Sequence, residues 1–196
     1  STGSTTVFVR YTGYAEHKQL WVDANGRVGY LYAGSPWWQL PNQDLRTPPN
    51  TFPFDDAYHH LAFVRRGNGT WSLYLDGSRI VNMGPGTGLW SSCWLTCGVI
   101  EAGSPTDIQS EPSSTGWYLR SMRVSNVERY LGISFSPTAN WVSDSNTAML
   151  LEFREGTGTT TRDSSANAQN GTLNGNVSWV SAARVPIATF SPYGQA

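Results

Sequence analysis

The sequence predicts an all-β protein built as a two-sheet antiparallel sandwich. Short segments that alternate between apolar and polar residues recur along its 196 residues, and a period of two is typical of half-buried strands. Turn dipeptides such as Asn-Gly and Asp-Gly separate several of these segments. No segment keeps the 3.6-residue period of an amphipathic helix. Short strands of this kind need a second sheet to cover their apolar faces, which favours a sandwich.

The clearest element is a three-stranded meander near the middle of the chain. A strand over residues 61–66 is followed by Gly67-Asn68-Gly69, which suits a tight hairpin loop because Asn and Gly tolerate positive φ angles. Residues 71–75 alternate between apolar and polar side chains, which predicts a half-buried strand. Asp76-Gly77 marks a second turn, and a third strand begins at Arg79.

The remaining elements follow from the same rules. Further strands are predicted at residues 5–11, 18–23, 28–32, 90–100, 117–124, 149–153, 171–173 and 177–180. The stretch 34–56 is rich in proline and aromatic residues, and the stretch 101–116 in serine and proline. Both are predicted as long irregular loops, since proline cannot lie in a central strand. Residues 126–131 are compatible with one helical turn.

Length and composition limit the classes of function. A chain of 196 residues suits a single domain, taken here as residues 1–196, that buries a core without disulfides. The opening run Ser-Thr-Gly-Ser-Thr-Thr is typical of a linker, so we expect a domain excised from a larger protein. The formal net charge of −1 shows no electrostatic footprint for nucleic acid. No apolar run approaches the roughly 20 residues of a membrane span, so no membrane insertion is expected.

The two cysteines leave two interpretations open. Cys93 and Cys97 would lie roughly 13 Å apart on a straight strand, which is too far for a disulfide. A disulfide between them therefore requires a turn at residues 94–96. The alternative is a pair of small buried thiols.

Three segments carry a family resemblance. They are "HHLAFVRRGNGTWSLYLDGSRI" at residues 59–80, "LRSMRVSNVERYLG" at residues 119–132 and "NTAMLLEFREGTGTTTRDSSANAQNGTLNGNVSWV" at residues 146–180. They resemble laminin G-like and pentraxin-like domains of the concanavalin A-like lectin/glucanase superfamily. The resemblance implies a jelly-roll sandwich. It does not fix the function, because this fold carries lectins, glycosidases, lyases and adhesion modules.

The resemblance also implies a calcium site. The family often holds a structural Ca²⁺ with the aspartate of its D-S-S-x-N loop, which matches Asp163 here, and hard oxygen ligands suit that ion. Arg120 or Ser121 stands where the family often has a second aspartate, and an arginine there would repel a cation. The alternative role for Asp163 is an Asx turn.

Four tryptophans are the candidate ligand-binding residues. Trp37, Trp38, Trp90 and Trp94 lie in or beside loops, and an indole ring stacks well on the C–H face of a sugar. Loops at the end of a sandwich commonly carry recognition sites. The alternative is that some of these rings plug the core beneath a long loop. Core packing is predicted for the tryptophans within strand patterns, namely Trp21, Trp71, Trp117 and Trp179.

No catalytic constellation stands out in the sequence. Retaining glycosidases need two carboxylates about 5 Å apart, and related glucanases supply them from one strand spaced E-x-D-x-x-E, a triplet that does not occur here. The pair His59-His60 matches the entry to the family's core strand, so we expect packed, hydrogen-bonded histidines rather than a base or metal ligand. We therefore expect no enzyme activity.

The predicted function is a non-catalytic, lectin-like module that binds a glycan or cell-surface polysaccharide. Its predicted location is extracellular or on a particle surface. A different class stays open, namely a structural or adhesive domain of a larger extracellular or virion protein. The pattern "RYLGISFSPTANW" at residues 129–141 looks like domains in phage and viral surface proteins and supports that alternative. A glycoside hydrolase or polysaccharide lyase is the third interpretation.

Overall fold

The computed structural model describes residues 5–13, 16–23, 25–34, 43–55, 57–83, 94–100, 118–138, 140–173 and 177–180. The chain forms two compact units, each made of two separate segments. The first contains Ser1–Asp55 and Thr87–Trp117, and the second contains Asp56–Gly86 and Tyr118–Ala196. The prediction of one domain over residues 1–196 stays a prediction.

Every regular element within these described ranges is a β-strand, and every strand pair is antiparallel. The strands are β1 (Thr5–Gly13), β2 (Glu16–Asp23), β3 (Val28–Gly34), β4 (Gln43–Arg46), β5 (Leu61–Arg65), β6 (Trp71–Leu75), β7 (Ser78–Met83), β8 (Trp94–Ile100), β9 (Met122–Ser125), β10 (Thr147–Leu151), β11 (Thr160–Thr161) and β12 (Gly171–Thr172). The all-β, antiparallel class is therefore confirmed for the described residues. Among them, no helix is long and apolar enough to cross a membrane.

The first unit contains a five-stranded sheet in the order β4-β3-β2-β1-β8. The predicted hairpin of β2 and β3 is present, and Val22 pairs with Val28 across it. These two side chains are 1% and 0% exposed, because their apolar surface faces the core of this unit. The turn between them contains Gly26 at φ 68. The Asp23 carboxylate caps this turn by accepting a hydrogen bond from the Asn25 N–H.

One prediction in the first unit needs correction, and one of the two open interpretations of the cysteines loses the turn that it requires. The stretch 34–56 was expected to lack strands, but β4 forms within it and pairs with β3. The prolines of this stretch fall outside the four residues of β4, and β4 lies at the edge of the sheet, so the objection to proline in a central strand does not apply. Residues 94–96 form no turn, because β8 is extended there and pairs with β1. Cys93 lies outside the described residues.

The second unit contains the predicted meander as a three-stranded sheet in the order β5-β6-β7. The expectation that β6 is half-buried was wrong, because all five of its residues are buried. Tyr74 and Ser72, on the face predicted to be polar, are both 0% exposed. Residues 130–135 cover this face, and the Tyr74 hydroxyl donates to the Gly132 carbonyl at 2.7 Å. A tyrosine is buried readily when its hydroxyl has such a partner.

The turn between β6 and β7 needs its particular residues. Asp76 and Gly77 have φ angles of 49° and 83°, as a two-residue hairpin turn with both central residues left-handed requires. A Cβ atom at Gly77 would overlap the Phe135 carbonyl oxygen and would lie 2.9 Å from Pro137 Cδ. Glycine is therefore required both for the backbone conformation and for the close approach of residues 135–137.

The rest of the second unit contains two short sheets, β9-β10 and β11-β12. Residues 126–131 form a bend followed by irregular chain rather than a helical turn, and Asn126 N–H donates to the Asn146 carbonyl. Residues 177–180 form no strand, although the Trp179 indole N–H donates to the Gly158 carbonyl at 2.7 Å. Isolated strand signals of this length do not form a strand without a paired neighbour.

Candidate functional site

The predicted ligand-binding tryptophans fall mostly outside the structure's described ranges. This holds for Trp37, Trp38 and Trp90. The backbone of Trp94 is described, and this residue begins β8 rather than lying in a loop. The binding role of all four stays a prediction. Of the strand tryptophans, Trp71 is 4% exposed, which confirms core packing at that position.

The Asp163 loop is the best-defined polar feature of the second unit. Asp163 is 2% exposed. Its Oδ1 accepts the backbone N–H groups of Leu150 and Ser165, both at 2.8 Å. Its Oδ2 accepts the Ser165 hydroxyl at 2.7 Å and the Gln169 N–H at 2.9 Å. One buried carboxylate thus ties β10 to both ends of the turn at residues 163–169.

The protonation of Asp163 follows from these contacts. Burial raises the pKa of the carboxyl group, but the N–H groups of Leu150 and Ser165, the Ser165 hydroxyl and the Gln169 N–H favour the charged form more strongly and lower the pKa below its ordinary value. The bond from Ser165 N–H to Oδ1, two residues back, is the Asx-turn contact that was considered as an alternative to calcium.

The residues around Asp163 extend the same turn. Asn170 Oδ1 accepts the Asp163 N–H at 3.0 Å, and the Asn167 side-chain amide donates to the Ala148 carbonyl at 2.8 Å. Within the described part of the chain, no group of three or more His, Cys, Asp or Glu side chains is placed to hold a metal ion. Calcium at Asp163 stays a prediction from the family resemblance.

A second cluster of polar contacts joins the paired histidines to Asp76, a partner that the sequence analysis did not predict. His59 Nδ1 lies 2.6 Å from Asp76 Oδ2, and the His60 N–H donates to Asp76 Oδ1 at 2.8 Å. His60 is 8% exposed, so the expected packing is confirmed at that position, but its Nδ1 atom lacks the expected hydrogen bond. The Asp76 N–H in turn donates to the His60 carbonyl. Asp76 therefore joins the entrance of β5 to the β6–β7 turn.

The His60 ring lies among three aromatic rings, which we call the aromatic cage: Tyr130, Phe135 and Trp141. Their centroids are 5.9, 5.3 and 5.6 Å from that of His60, and all three contacts are edge-to-face. Tyr130 and Phe135 also stack on each other at 3.6 Å. No hydrophobic periodicity marks these rings in the sequence. The only available signal is their aromatic density within a polar, irregular stretch.

Charged groups border the aromatic cage. The Arg123 guanidinium lies 5.0 Å from the Trp141 ring centroid and donates to the Tyr130 hydroxyl at 3.0 Å. Burial lowers the pKa of Arg123. Burial also lowers the pKa of His60 to about 4, the Asp76 carboxylate opposes that shift, and Arg123 adds to it. His60 is therefore neutral at pH 7.

A third group lies where the chain re-enters the second unit after residues 101–117. Tyr118 is 50% exposed, and Arg120 and Tyr58 are partly exposed. Burial raises the pKa of the Tyr58 phenol, while the nearby Arg120 charge lowers it and Tyr118 raises it. The charges of Arg120 and Tyr118 thus lie close enough to Tyr58 to act on its pKa, just after a stretch that was predicted as a long irregular loop.

The antiparallel all-β fold, with the buried Asp163 carboxylate holding one of its loops, defines the class of this protein. No family model, no curated protein and no solved structure matches the chain.

Proposed function

We propose that this chain is a laminin G-like jelly-roll sandwich that recognises a carbohydrate, without catalysis, at a cell or particle surface. The fold part of the proposal draws support from two segments of the resemblance. Residues 59–80 form the β5-β6-β7 meander, and the D-S-S-x-N loop folds around a buried Asp163.

The single observation that carries the recognition role is the partly exposed group of Tyr58, Tyr118 and Arg120. An exposed tyrosine ring offers an apolar face for the C–H groups of a sugar and a hydroxyl for its polar edge. A guanidinium offers several fixed N–H donors for sugar hydroxyl or carboxylate oxygens. Tyr118 and Arg120 follow the stretch 101–116, which was predicted as a long irregular loop, and loops commonly carry recognition sites.

The proposal that the chain has no catalytic activity rests on the hydrogen bonds and ion pairs that its best-defined carboxylates form. Asp163 holds the turn after β11, and Glu155 Oε1 accepts the Arg162 N–H at 2.6 Å. Asp144 forms a two-pronged pair with Arg129, at 2.6 and 2.9 Å. That pair holds the pKa of Asp144 well below its usual range. Carboxylates held in this way stabilise loops, whereas a general acid needs a raised pKa.

The test is a glycan array with the purified chain, run in calcium and again in EDTA. Trp37→Ala, Trp38→Ala and Tyr118→Ala are each expected to weaken binding by about tenfold, since one aromatic contact contributes roughly 0.5–1.5 kcal/mol beyond its buried area. Val142→Ala, at a side chain that is 80% exposed, is the matched surface control. Loss of binding in EDTA would implicate Asp163.

Absence of glycan binding in both buffers would overturn the recognition role and favour the second candidate, a structural or adhesive domain. One observation supports that alternative. Leu131, Ile133 and Val142 are 67%, 71% and 80% exposed within one short stretch of chain. Exposed apolar side chains concentrated in this way are typical of protein contact surfaces. A double variant, Leu131→Ser with Ile133→Ser, should then reduce self-association or surface adhesion while leaving the circular dichroism spectrum unchanged.

A further inference from the structure

His60 occupies an environment that suits only its neutral form. Its ring is nearly sealed from solvent by the aromatic cage, and its Nδ1 atom is buried without a hydrogen-bond partner. A neutral imidazole tolerates this position at the cost of one unmade hydrogen bond. An imidazolium would require acceptors for two N–H groups, whereas the Nδ1 position has none in the folded chain.

The charged groups around the ring do not compensate for a proton there. Asp76, from the β6–β7 turn, is the nearest carboxylate, but its two oxygens already interact with the His60 N–H and with His59 Nδ1. Arg123, from β9, is close enough for its positive charge to oppose protonation. Tyr130 contributes a neutral phenol that accepts a hydrogen bond from Arg123. Burial is therefore the dominant influence on the pKa of His60.

The segment that supplies two rings of the cage is attached to the meander by backbone and side-chain hydrogen bonds, among them those from the Arg66 guanidinium to the Leu131 carbonyl at 3.1 Å and from the Tyr74 hydroxyl to the Tyr130 carbonyl at 3.3 Å. In residues 130–135, the Ile133 carbonyl accepts the Arg79 N–H at 2.9 Å, and the Phe135 N–H donates to the Gly77 carbonyl at 2.8 Å. The Tyr74 hydroxyl adds the bond to Gly132. The side chains of Leu131 and Ile133 face solvent. The segment is exposed at residues 131–134 and buries little apolar surface beyond Tyr130 and Phe135, and pieces with little apolar burial open before the core does.

We propose that His60 is a pH-sensitive latch, whose protonation releases residues 130–135 from the meander while β5, β6 and β7 stay folded. The release exposes Tyr130, Phe135 and the polar face of β6. It also separates Arg123 from the Tyr130 hydroxyl. This inference does not depend on the carbohydrate-binding proposal, because it concerns only the packing of the second unit.

The sign of the effect follows from linkage. The pKa of His60 is about 4 in the closed state, against roughly 6.5 for a solvated histidine. The closed state, with residues 130–135 packed on the meander, therefore has its full stability above pH 6.5. Its stability relative to the open state, with the segment released, decreases as the pH falls from 6.5 to 4, because the open state binds the proton more tightly. The ratio of open to closed segment rises by up to about a hundredfold over that interval.

Amide hydrogen exchange on the full chain between pH 7 and pH 4.5, corrected for the intrinsic rate, tests the latch. Protection of residues 130–135 should fall by at least tenfold while residues 71–75 keep theirs. His60→Leu, which cannot be protonated, should remove this pH dependence. His59→Gln is the matched control at the adjacent histidine and should retain it. Persistence of the pH dependence in His60→Leu would overturn the proposal, as would equal loss of protection in both segments.

A measurement on the wild-type chain covers the case in which His60→Leu does not fold. The imidazole resonances of His60, followed by NMR, should titrate with a midpoint below 6.5, and residues 130–135 should change over the same pH range. A midpoint at or above 6.5, or a titration that leaves residues 130–135 unchanged, would refute the latch.

Discussion

Removing the Asp163 carboxylate should destabilise the second unit strongly, and the size of the loss follows from its four hydrogen bonds. In Asp163→Ala, the N–H groups of Leu150 and Ser165 lose their acceptor, and these residues are only 2% and 7% exposed. Each buried, unpaired N–H costs about 1–3 kcal/mol. The exposed Gln169 N–H can turn to water at little cost, so the total is about 4 kcal/mol.

Asp163→Asn separates the acceptor role from the charge. The asparagine Oδ1 can keep both buried N–H bonds. The NH₂ group at the Oδ2 position faces the exposed Gln169 N–H and the Ser165 hydroxyl, which can rotate to accept a hydrogen bond from it. The expected loss is about 1–2 kcal/mol. Glu152→Gln is the matched control, because that carboxylate makes only surface contacts, accepting the Ser164 hydroxyl at 3.4 Å and pairing with the exposed Arg154 guanidinium at 3.2 Å. It should change stability by less than about 0.5 kcal/mol.

The assay is urea unfolding of the four proteins at pH 7, with the free energy of unfolding taken from midpoints and slopes. A loss below about 1 kcal/mol for Asp163→Ala, or equal losses for the two Asp163 variants, would refute this account of the loop. Repeating the titrations with calcium tests the metal prediction. An ion bound through Asp163 would stabilise the wild type and not Asp163→Asn.

The difference in free energy of unfolding between wild type and Asp163→Asn should depend on pH in a defined direction. The pKa of Asp163 is lower in the folded chain than its ordinary value of about 3.9. A carboxyl group with a depressed folded pKa contributes stability that is present above the unfolded value and is lost as the pH falls through the folded value. The difference between wild type and Asp163→Asn should therefore be constant near neutrality and shrink below about pH 4.

Substitutions at two residues with positive φ angles, Gly77 and Ala168, should change the stability in opposite directions. Gly77→Ala should destabilise by more than about 3 kcal/mol in urea unfolding, because a Cβ there overlaps the Phe135 carbonyl oxygen and the φ angle is positive. Gly156→Ala, at φ 72 with nothing near its Cβ position, should cost only about 1 kcal/mol, and equal losses at the two glycines would contradict the overlap. Ala168→Gly should stabilise by about 0.5–1 kcal/mol, since Ala168 is exposed at φ 49. Ala166→Gly, at an exposed residue outside the positive-φ group, should instead destabilise slightly, and a loss at Ala168→Gly would refute the strain argument.

Much of the secondary structure could be predicted from local patterns. The β2–β3 hairpin, the β5-β6-β7 meander and β10 lie within a few residues of the predicted segments, because alternation and Asn-Gly or Asp-Gly turns are local signals. The failures share one cause. β4 exists because β3 offers it an edge, and residues 177–180 carry a strand pattern without a paired neighbour. Pairing is a tertiary property that no short window contains.

The candidate sites also depend partly on sequence signals and partly on tertiary structure. The resemblance selected Asp163 from the sequence, but only the structure shows the four donors that converge on its two oxygens. The aromatic cage had no periodic signal in the sequence, because Tyr130, Phe135 and Trp141 follow no strand or helix period. Their convergence on His60 depends on how residues 130–141 run across the meander.

The sequence alone determined that this chain forms antiparallel strands, where its tightest turns fall, and that Trp71 is buried. Those features depend on local backbone preference and on the alternation of apolar residues, and both can be recognised within a few consecutive residues. Only the tertiary structure decided that both faces of β6 are buried, that Asp163 is saturated by N–H and O–H donors, and that the His60 imidazole lies in a cage without a partner for Nδ1. Those features depend on distant segments meeting, and burial and hydrogen bonding are set by that meeting rather than by neighbours in the chain.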